Sequence, residues 1–220
     1  MSSYQLRGGL SFCLFDGRPV FLDIKSDRYF QLADEMEQMF LACLDGQPQV
    51  QAIHTLIAHD ILVDATDGSL RAACSDDPAL SLLESPRPAR THPLLVLVEV
   101  AAIVRQTRKR LAKYGLEATI VWATDPLIPG QETREIAAQT EAARWACSFL
   151  GARKYIPTPT RCLLDSLAMM KFLRRRGLRP NLVFGITSAP FTAHCWLQEG
   201  HLILNESLGN AKVYTPIKVV

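Results

Sequence analysis

A stretch rich in proline, serine and charged residues divides this chain into two parts and limits how it can fold. Residues 75–92 contain the segments SDDP and SPRPAR and show no apolar periodicity. Such a composition is typical of a linker. Because 48% of the 220 residues are apolar, the parts on either side can each bury a core. We therefore expect domains at residues 1–75 and 93–220, joined by a linker at 76–92.

The first part predicts a small winged-helix-like domain. Three short apolar runs lie on either side of a turn at Asp16-Gly17 and of a polar turn at 25–28. The spacing of apolar residues then changes to the helical period, and Asp45-Gly46 ends the first helical run. The expected elements are strands at 10–15, 20–24 and 29–32, helices at 36–43 and 50–58, and a strand at 61–63.

The second part predicts helices followed by antiparallel strands. This order is typical of the α+β fold class. The expected elements are helices at 93–114, 132–150 and 160–176, and strands at 117–122, 182–187, 194–198 and 201–205.

Composition and charge exclude several other classes of protein. The 24 basic residues nearly balance the 22 acidic ones, which gives no electrostatic reason to expect nucleic acid or an anionic membrane as partner. The most apolar run, 94–104, is much shorter than the roughly 20 residues of a membrane span and favours a buried helix. The start of the chain does not resemble a secretory signal, and the six cysteines and five histidines form no ligand cluster. We expect a cytoplasmic protein with reduced thiols, no metal and no cofactor.

Cys162 occupies a position that favours reactivity. It lies two residues into a helix that is expected to begin at Thr160, after two prolines that discourage an earlier start. The positive end of a helix dipole favours the thiolate form of a cysteine, and the unpaired N–H groups of a first turn can stabilise an oxyanion. Cys162 is therefore a candidate nucleophile.

A histidine and an acceptor follow Cys162 in an order suited to nucleophilic catalysis. His194 lies on a predicted strand, and a tight turn at Gly200 pairs that strand with the next one. This pairing returns Glu206, twelve residues after His194, or its neighbour Asn205, to the side of the histidine. A thiolate needs a histidine partner, which in turn needs an orienting acceptor. The spacing leaves open whether Glu206 or Asn205 is that acceptor.

Several short blocks around these residues resemble the lasso-peptide B proteins, which are leader peptidases with a transglutaminase-like core. The matching blocks fall within residues 155–206, about a quarter of the chain, and are RCLLDSLA, LRRRGL, LVFGI, PF, AHCWL and LNE. The resemblance implies a nucleophilic Cys162, a general base His194 and a transglutaminase/papain-like cysteine protease domain. The family places an aspartate twelve residues after the histidine, where this chain has Glu206.

The first part is similar in the order of its elements to the PqqD family of leader-recognition domains. This similarity implies that a leader peptide adds as a strand beside the third strand and packs against a helix. The candidate leader-binding residues are Tyr29, Phe30, Leu32, Ile53, Leu56 and Ile57.

Together the two resemblances predict a cysteine endopeptidase that removes the leader from a lasso-peptide precursor. They imply that the core peptide then passes to an asparagine-synthetase-like, ATP-dependent cyclase. One alternative is a non-catalytic escort that binds the leader without cutting it. Another is an enzyme that transfers the acyl group to an amine instead of to water.

Overall fold

The strands predicted near the start of the chain are present, and a tight hairpin joins the first two of them. A computed structural model describes residues 3–66, 68–84, 94–125 and 135–220. The hairpin turns at Asp16 and Gly17, whose φ angles of 50° and 80° suit a two-residue turn. The first elements are β1 (Ser3–Leu6), β2 (Leu10–Phe15), β3 (Arg18–Asp23), β4 (Arg28–Gln31), α1 (Asp34–Leu44), α2 (Val50–Ala58) and β5 (Leu62–Ala65).

These elements form a compact unit of the described residues up to Cys74, to which residues 215–218 also belong. Strands β2, β3 and β4 form an antiparallel sheet in that order, and β1, which the sequence did not predict, pairs with β5. The core of the unit is aromatic. The ring of Phe40 lies 5.0 Å from that of Phe12 and 4.9 Å from that of Phe21, both edge to face, a favourable arrangement for buried rings.

The second unit comprises Ser75–Tyr214 and Val219–Val220. Its α+β order is as expected, with helices before a mainly antiparallel sheet. The elements after β5 are β6 (Leu80–Ser81), α3 (Leu94–Thr124), α4 (Glu135–Arg153), α5 (Cys162–Arg174), β7 (Asn181–Ser188), β8 (Phe191–Glu199), β9 (Leu202–Ile203), α6 (Leu208–Ala211) and β10 (Thr215–Val219). Within the second unit the strands of the sheet are neighbours in the order β7-β8-β9-β6.

Two expectations for this unit are wrong. The strand expected at 117–122 is helical, because the chain resumes the helix after a break at Gly115, whose φ is 77°. Its buried residues after the break, such as Leu116 and Ile120, recur at helical spacing instead of alternating. Part of the predicted linker is also a strand: β6 pairs in parallel with β9, and Ser81 and Leu82 are buried. The domain boundaries themselves stay predictions.

Helix α3 is only partly buried, although the apolar run at its start favoured burial. Val96, Val100 and Ile103 face the core, whereas Leu95 is 82% exposed. None of the helices that the structure describes is long and apolar enough to cross a membrane.

Candidate active site

The site lies where strand β9 ends, because β9 is much shorter than the neighbouring strand β8. On its β8 side, strand β9 pairs with Gln198 and Glu199 at the end of β8, and one further backbone bond runs from the N–H of Leu204 to the carbonyl of Leu197. Among the residues that the structure describes, the earlier part of β8 has no strand partner on that side. Side chains replace the missing strand. The N–H of Leu197 donates to Oδ1 of Asn205 at 2.7 Å, and Oγ of Ser166 donates to the carbonyl of Cys195 at 3.3 Å. The start of α5 thereby lies against the open edge of β8.

Cys162 is the first residue of α5, and the residue at the N-cap position is Arg161, not Thr160. Arg161 has an extended backbone, and its N–H donates to Oδ2 of Asp165 at 3.3 Å. The predicted position of Cys162 in the first turn is correct, but the helix begins two residues later than expected. Cys162 is an exposed residue and lines a cavity, so a substrate can reach it.

Two neighbouring residues, Cys195 and His194, stabilise the thiolate of Cys162 and lower its pKa to about 4. The largest effect is a hydrogen bond with the thiol of Cys195, followed by the hydrogen bond and charge of the His194 ring. The backbone N–H of Cys195 adds a further donor, and these effects outweigh the desolvation that opposes ionisation. A thiol with such a pKa is ionised at neutral pH.

His194 lies between Cys162 and Glu206. Its Nε2 is 2.6 Å from Oε2 of Glu206, which leaves Nδ1 for the hydrogen bond with Cys162. That bond is the largest effect on the ring and raises the pKa of His194. Burial opposes the shift, and Glu206 reinforces it. The arrangement favours a thiolate–imidazolium pair.

Glu206 is itself held in place by the start of α6. Its Oε1 accepts the N–H of Ser207 at 2.7 Å and the hydroxyl of Ser207 at 3.3 Å. Burial alone would raise the pKa of Glu206, but the bonds from Ser207 and His194 outweigh it and lower the pKa. The carboxylate is therefore ionised beside the histidine.

Asn205 has a different set of partners from Glu206. It accepts from the N–H of Leu197 and donates from Nδ2 to Oγ of Ser166 at 2.8 Å. The sequence did not decide whether Glu206 or Asn205 orients His194, and in the structure Glu206 is the one hydrogen-bonded to it. Asn205 joins β9 to β8 and α5.

The imidazole of His194 lies next to two aromatic rings. The ring of Tyr214 lies 5.2 Å from that of His194, and the ring of Trp196 lies 6.3 Å from it. Gly185 is opposite His194 in the β7–β8 register. A Cβ at Gly185 would lie 2.7 Å from Cβ of Tyr214 and 3.0 Å from the ring of Trp196. The missing side chain therefore lets both rings pack close to the sheet.

Two contributors to the site were not predicted from the sequence. Cys195 is buried, as expected of a core residue, but its thiol also contacts Cys162; contact with Cys162 and burial together raise its pKa well above the usual value. Arg153, almost fully buried, donates to Oδ1 of Asp165 at 2.7 Å and to the carbonyls of Ile156, Thr158 and Pro159. It thus ties the segment that precedes Cys162 to α5.

The reactive groups open into a cavity of about 430 Å³. Its apolar wall is formed by Leu83, Phe149, Leu150 and Met169, and its polar wall by the site residues and Arg153. No group of three or more potential metal ligands occurs among the residues that the structure describes. The chemistry available at this wall is that of a thiolate and an imidazolium.

The six candidate leader-binding residues do not form one surface. Leu32 and Leu56 are buried in the core of the first unit, so the prediction is wrong for these two. Ile53 and Ile57 of α2 line a separate cavity of about 800 Å³. Tyr29 and Phe30 lie on β4, which is the edge strand of its sheet, and the ring of Phe30 stacks on Phe21 at 5.3 Å.

The comparisons with known proteins found one match. A family model described as transglutaminase-like superfamily matches residues 94–219, more than half of the chain. No curated protein and no solved structure gave a match.

Proposed function

Because the chain belongs to the transglutaminase-like superfamily, whose fold is of the cysteine-protease type, we propose that it is a cysteine endopeptidase that removes the leader from a lasso-peptide precursor. The observation that carries this proposal is the contact of His194 with both Cys162 and Glu206, with the pKa of Cys162 lowered to about 4. Nucleophile, base and orienting carboxylate are thus adjacent at an accessible cavity.

The first half-reaction acylates Cys162. Its Sγ attacks the carbonyl carbon of the scissile peptide bond, and the carbonyl electrons move to the oxygen. In this proposal N–H groups of the first turn of α5, which lack helical partners, donate to this oxyanion. His194 then gives its Nδ1 proton to the departing amine, the C–N bond breaks, and a thioester remains on Cys162.

The second half-reaction releases the acid. His194, now neutral, accepts a proton from water, and the hydroxide attacks the thioester carbonyl. The C–S bond breaks, the carboxylic acid leaves, and the thiolate–imidazolium pair re-forms. Glu206 stays ionised throughout and holds Nε2, so that Nδ1 faces the sulfur.

The lasso assignment is supported by the sequence blocks around Cys162, His194 and Glu206. In this proposal the leader adds as a strand to β4 of the first unit, beside Tyr29 and Phe30, in the cytoplasm. The core peptide goes on to an asparagine-synthetase-like cyclase that uses ATP.

The test is release of the leader from a lasso-peptide precursor incubated with the purified protein, followed by mass spectrometry. We expect two fragments from the wild-type protein and none from Cys162→Ala. Binding of the precursor without cleavage by the wild type would favour the escort alternative. If added hydroxylamine is incorporated into the leader more efficiently than water, the enzyme is an acyl transferase instead.

A further inference from the structure

The apolar wall of the cavity beside Cys162 has no assigned role in the bond-breaking steps. It consists of Leu83, Phe149, Leu150 and Met169, which we call the apolar groove. Phe149 and Met169 are almost fully buried and close the floor, whereas Leu83 and Leu150 keep exposed surface. An apolar side chain placed there would remove that surface from water, which is favourable.

The rim of the same cavity carries a local excess of positive charge. Within the lining, Arg153 is paired with Asp165, and His194 is paired with Glu206. Lys154 and Arg161 also line the cavity and are exposed. Among the described residues no carboxylate forms an ion pair with either of them. They are therefore available to an anionic group that enters next to Cys162.

We propose that the apolar groove binds an apolar side chain of the substrate close to the scissile bond, and that Lys154 and Arg161 bind an acidic side chain next to it. The inference rests on the proposed function, because it names the substrate that Cys162 attacks. An extended peptide crossing the nucleophile turns neighbouring side chains in opposite directions. One can thus enter the groove while the next meets the cationic rim.

The experiment measures alkylation of Cys162 by chloroacetamides, in which Sγ displaces chloride and a thioether forms. The reagents are chloroacetamide itself, chloroacetyl-Gly-Ala-amide, chloroacetyl-Leu-Ala-amide, chloroacetyl-Leu-Asp-amide and chloroacetyl-Leu-Lys-amide. The dipeptide part of each reagent can extend in either direction from the sulfur of Cys162. The test therefore works whether the apolar groove binds a substrate side chain before or after the scissile bond. Intact mass gives the rates, and glutathione corrects for intrinsic reactivity.

We expect the leucyl reagent to react about tenfold faster than the glycyl reagent, the low end of what burial of a leucine side chain supplies. The Leu-Asp reagent should exceed the Leu-Lys reagent by about threefold at low salt, and this ratio should approach one in 1 M NaCl. Leu150→Ala should abolish most of the rate advantage of the leucyl reagent over the glycyl reagent, which we call the leucyl gain. Lys154→Glu should make the Leu-Lys reagent react faster than the Leu-Asp reagent and so reverse the Asp preference.

The controls make the same chemical changes elsewhere. Leu95→Ala, at an 82% exposed position, and Lys113→Glu, at an exposed position on the same helix, should change neither ratio. The plain chloroacetamide rate of each variant shows that its nucleophile is intact, and Leu150→Met, which keeps the volume, should retain the gain.

The experiment distinguishes failure of the substrate inference from failure of the proposed function. If Cys162 reacts much faster than glutathione but shows no leucyl gain and no Asp preference, the substrate inference is wrong and the proposed function stands. If Cys162 reacts no faster than glutathione at pH 6, the nucleophile is not activated and both are wrong.

Discussion

Replacing Glu206 by glutamine tests the orienting carboxylate with little change in shape. Glutamine has nearly the size of glutamate, and its amide oxygen can still accept from Nε2 of His194. The substitution removes the negative charge that now lies 2.6 Å from the ring. Because Glu206 helps to raise the pKa of His194, that pKa should fall, and less imidazolium should face Cys162 at neutral pH.

The size of the effect follows from the type of hydrogen bond that is lost. A hydrogen bond to a charged group contributes about 1.5–3 kcal/mol, against about 1 kcal/mol for a neutral one. The carboxylate is about one-fifth exposed, so the lower part of that range applies. The difference of about 0.5–1 kcal/mol predicts a fall of about two- to fivefold in the acylation rate at pH 7.

The assay is the single-turnover rate of cleavage as a function of pH, with the thermal unfolding midpoint of each variant. In Glu206→Gln the alkaline limb should move to lower pH while the unfolding midpoint changes little. Asn205→Ala is the matched comparison, because it leaves the N–H of Leu197 without a partner. It should lower the free energy of unfolding by about 1–3 kcal/mol with the alkaline limb in place. A wild-type rate and pH profile in Glu206→Gln would refute the reasoning.

Three further predictions concern the supports of the site. Gly185→Ala should displace the ring of Tyr214, because a Cβ there would lie 2.7 Å from Cβ of Tyr214; single-turnover cleavage should slow, and a wild-type rate would contradict this. Cys195→Ala should raise the pKa of Cys162, because its largest stabilising contact is lost; Cys195→Ser, which keeps an O–H donor, should restore part of the shift in the alkylation pH profile. Arg153→Met should lower the free energy of unfolding in urea by about 3 kcal/mol, because it leaves Asp165 without its ion-pair partner, and an unchanged midpoint would show that the ion pair does not hold the loop.

The sequence alone predicts where three residues of the site lie in the fold, because short-range sequence features determine the start of a helix and the course of a hairpin. These residues are Cys162, His194 and Glu206. Two prolines and a helical pattern mark the start of α5, and the hairpin at Gly200 brings Glu206 back beside His194. Spacing alone did not separate Glu206 from Asn205. That choice depends on β9 being only two residues long, so that Asn205 satisfies β8 and Glu206 lies beyond it.

The contribution of Cys195 could not be read from alternation along the strand. Its side chain points away from His194 and into the core, as the period of two predicts. The first turn of α5 packs on that same side, so the sulfur of Cys162 meets both Cys195 and, around the open edge of β8, His194. Such a contact depends on tertiary packing between residues 33 positions apart in the sequence.

Arg153 and the break at Gly115 illustrate the same limit in helices. The sequence around Arg153 is that of an ordinary helix end, and only the folded loop shows that its guanidinium joins four partners. After Gly115 the segment 117–122 is rich in residues that favour strands, yet its packing against the rest of α3 and α5 holds it in a helix. Local propensity is a weak guide where tertiary contacts decide.

The pH dependence of Cys162 alkylation by chloroacetamide tests the central claim most directly. With the wild-type protein the rate should stay high through neutral and mildly acidic pH and fall with a midpoint of about 4, because the thiolate is lost only when it is protonated. In His194→Ala the midpoint should move to higher pH. A wild-type midpoint near 8.5, the value of an unperturbed thiol, would contradict the account.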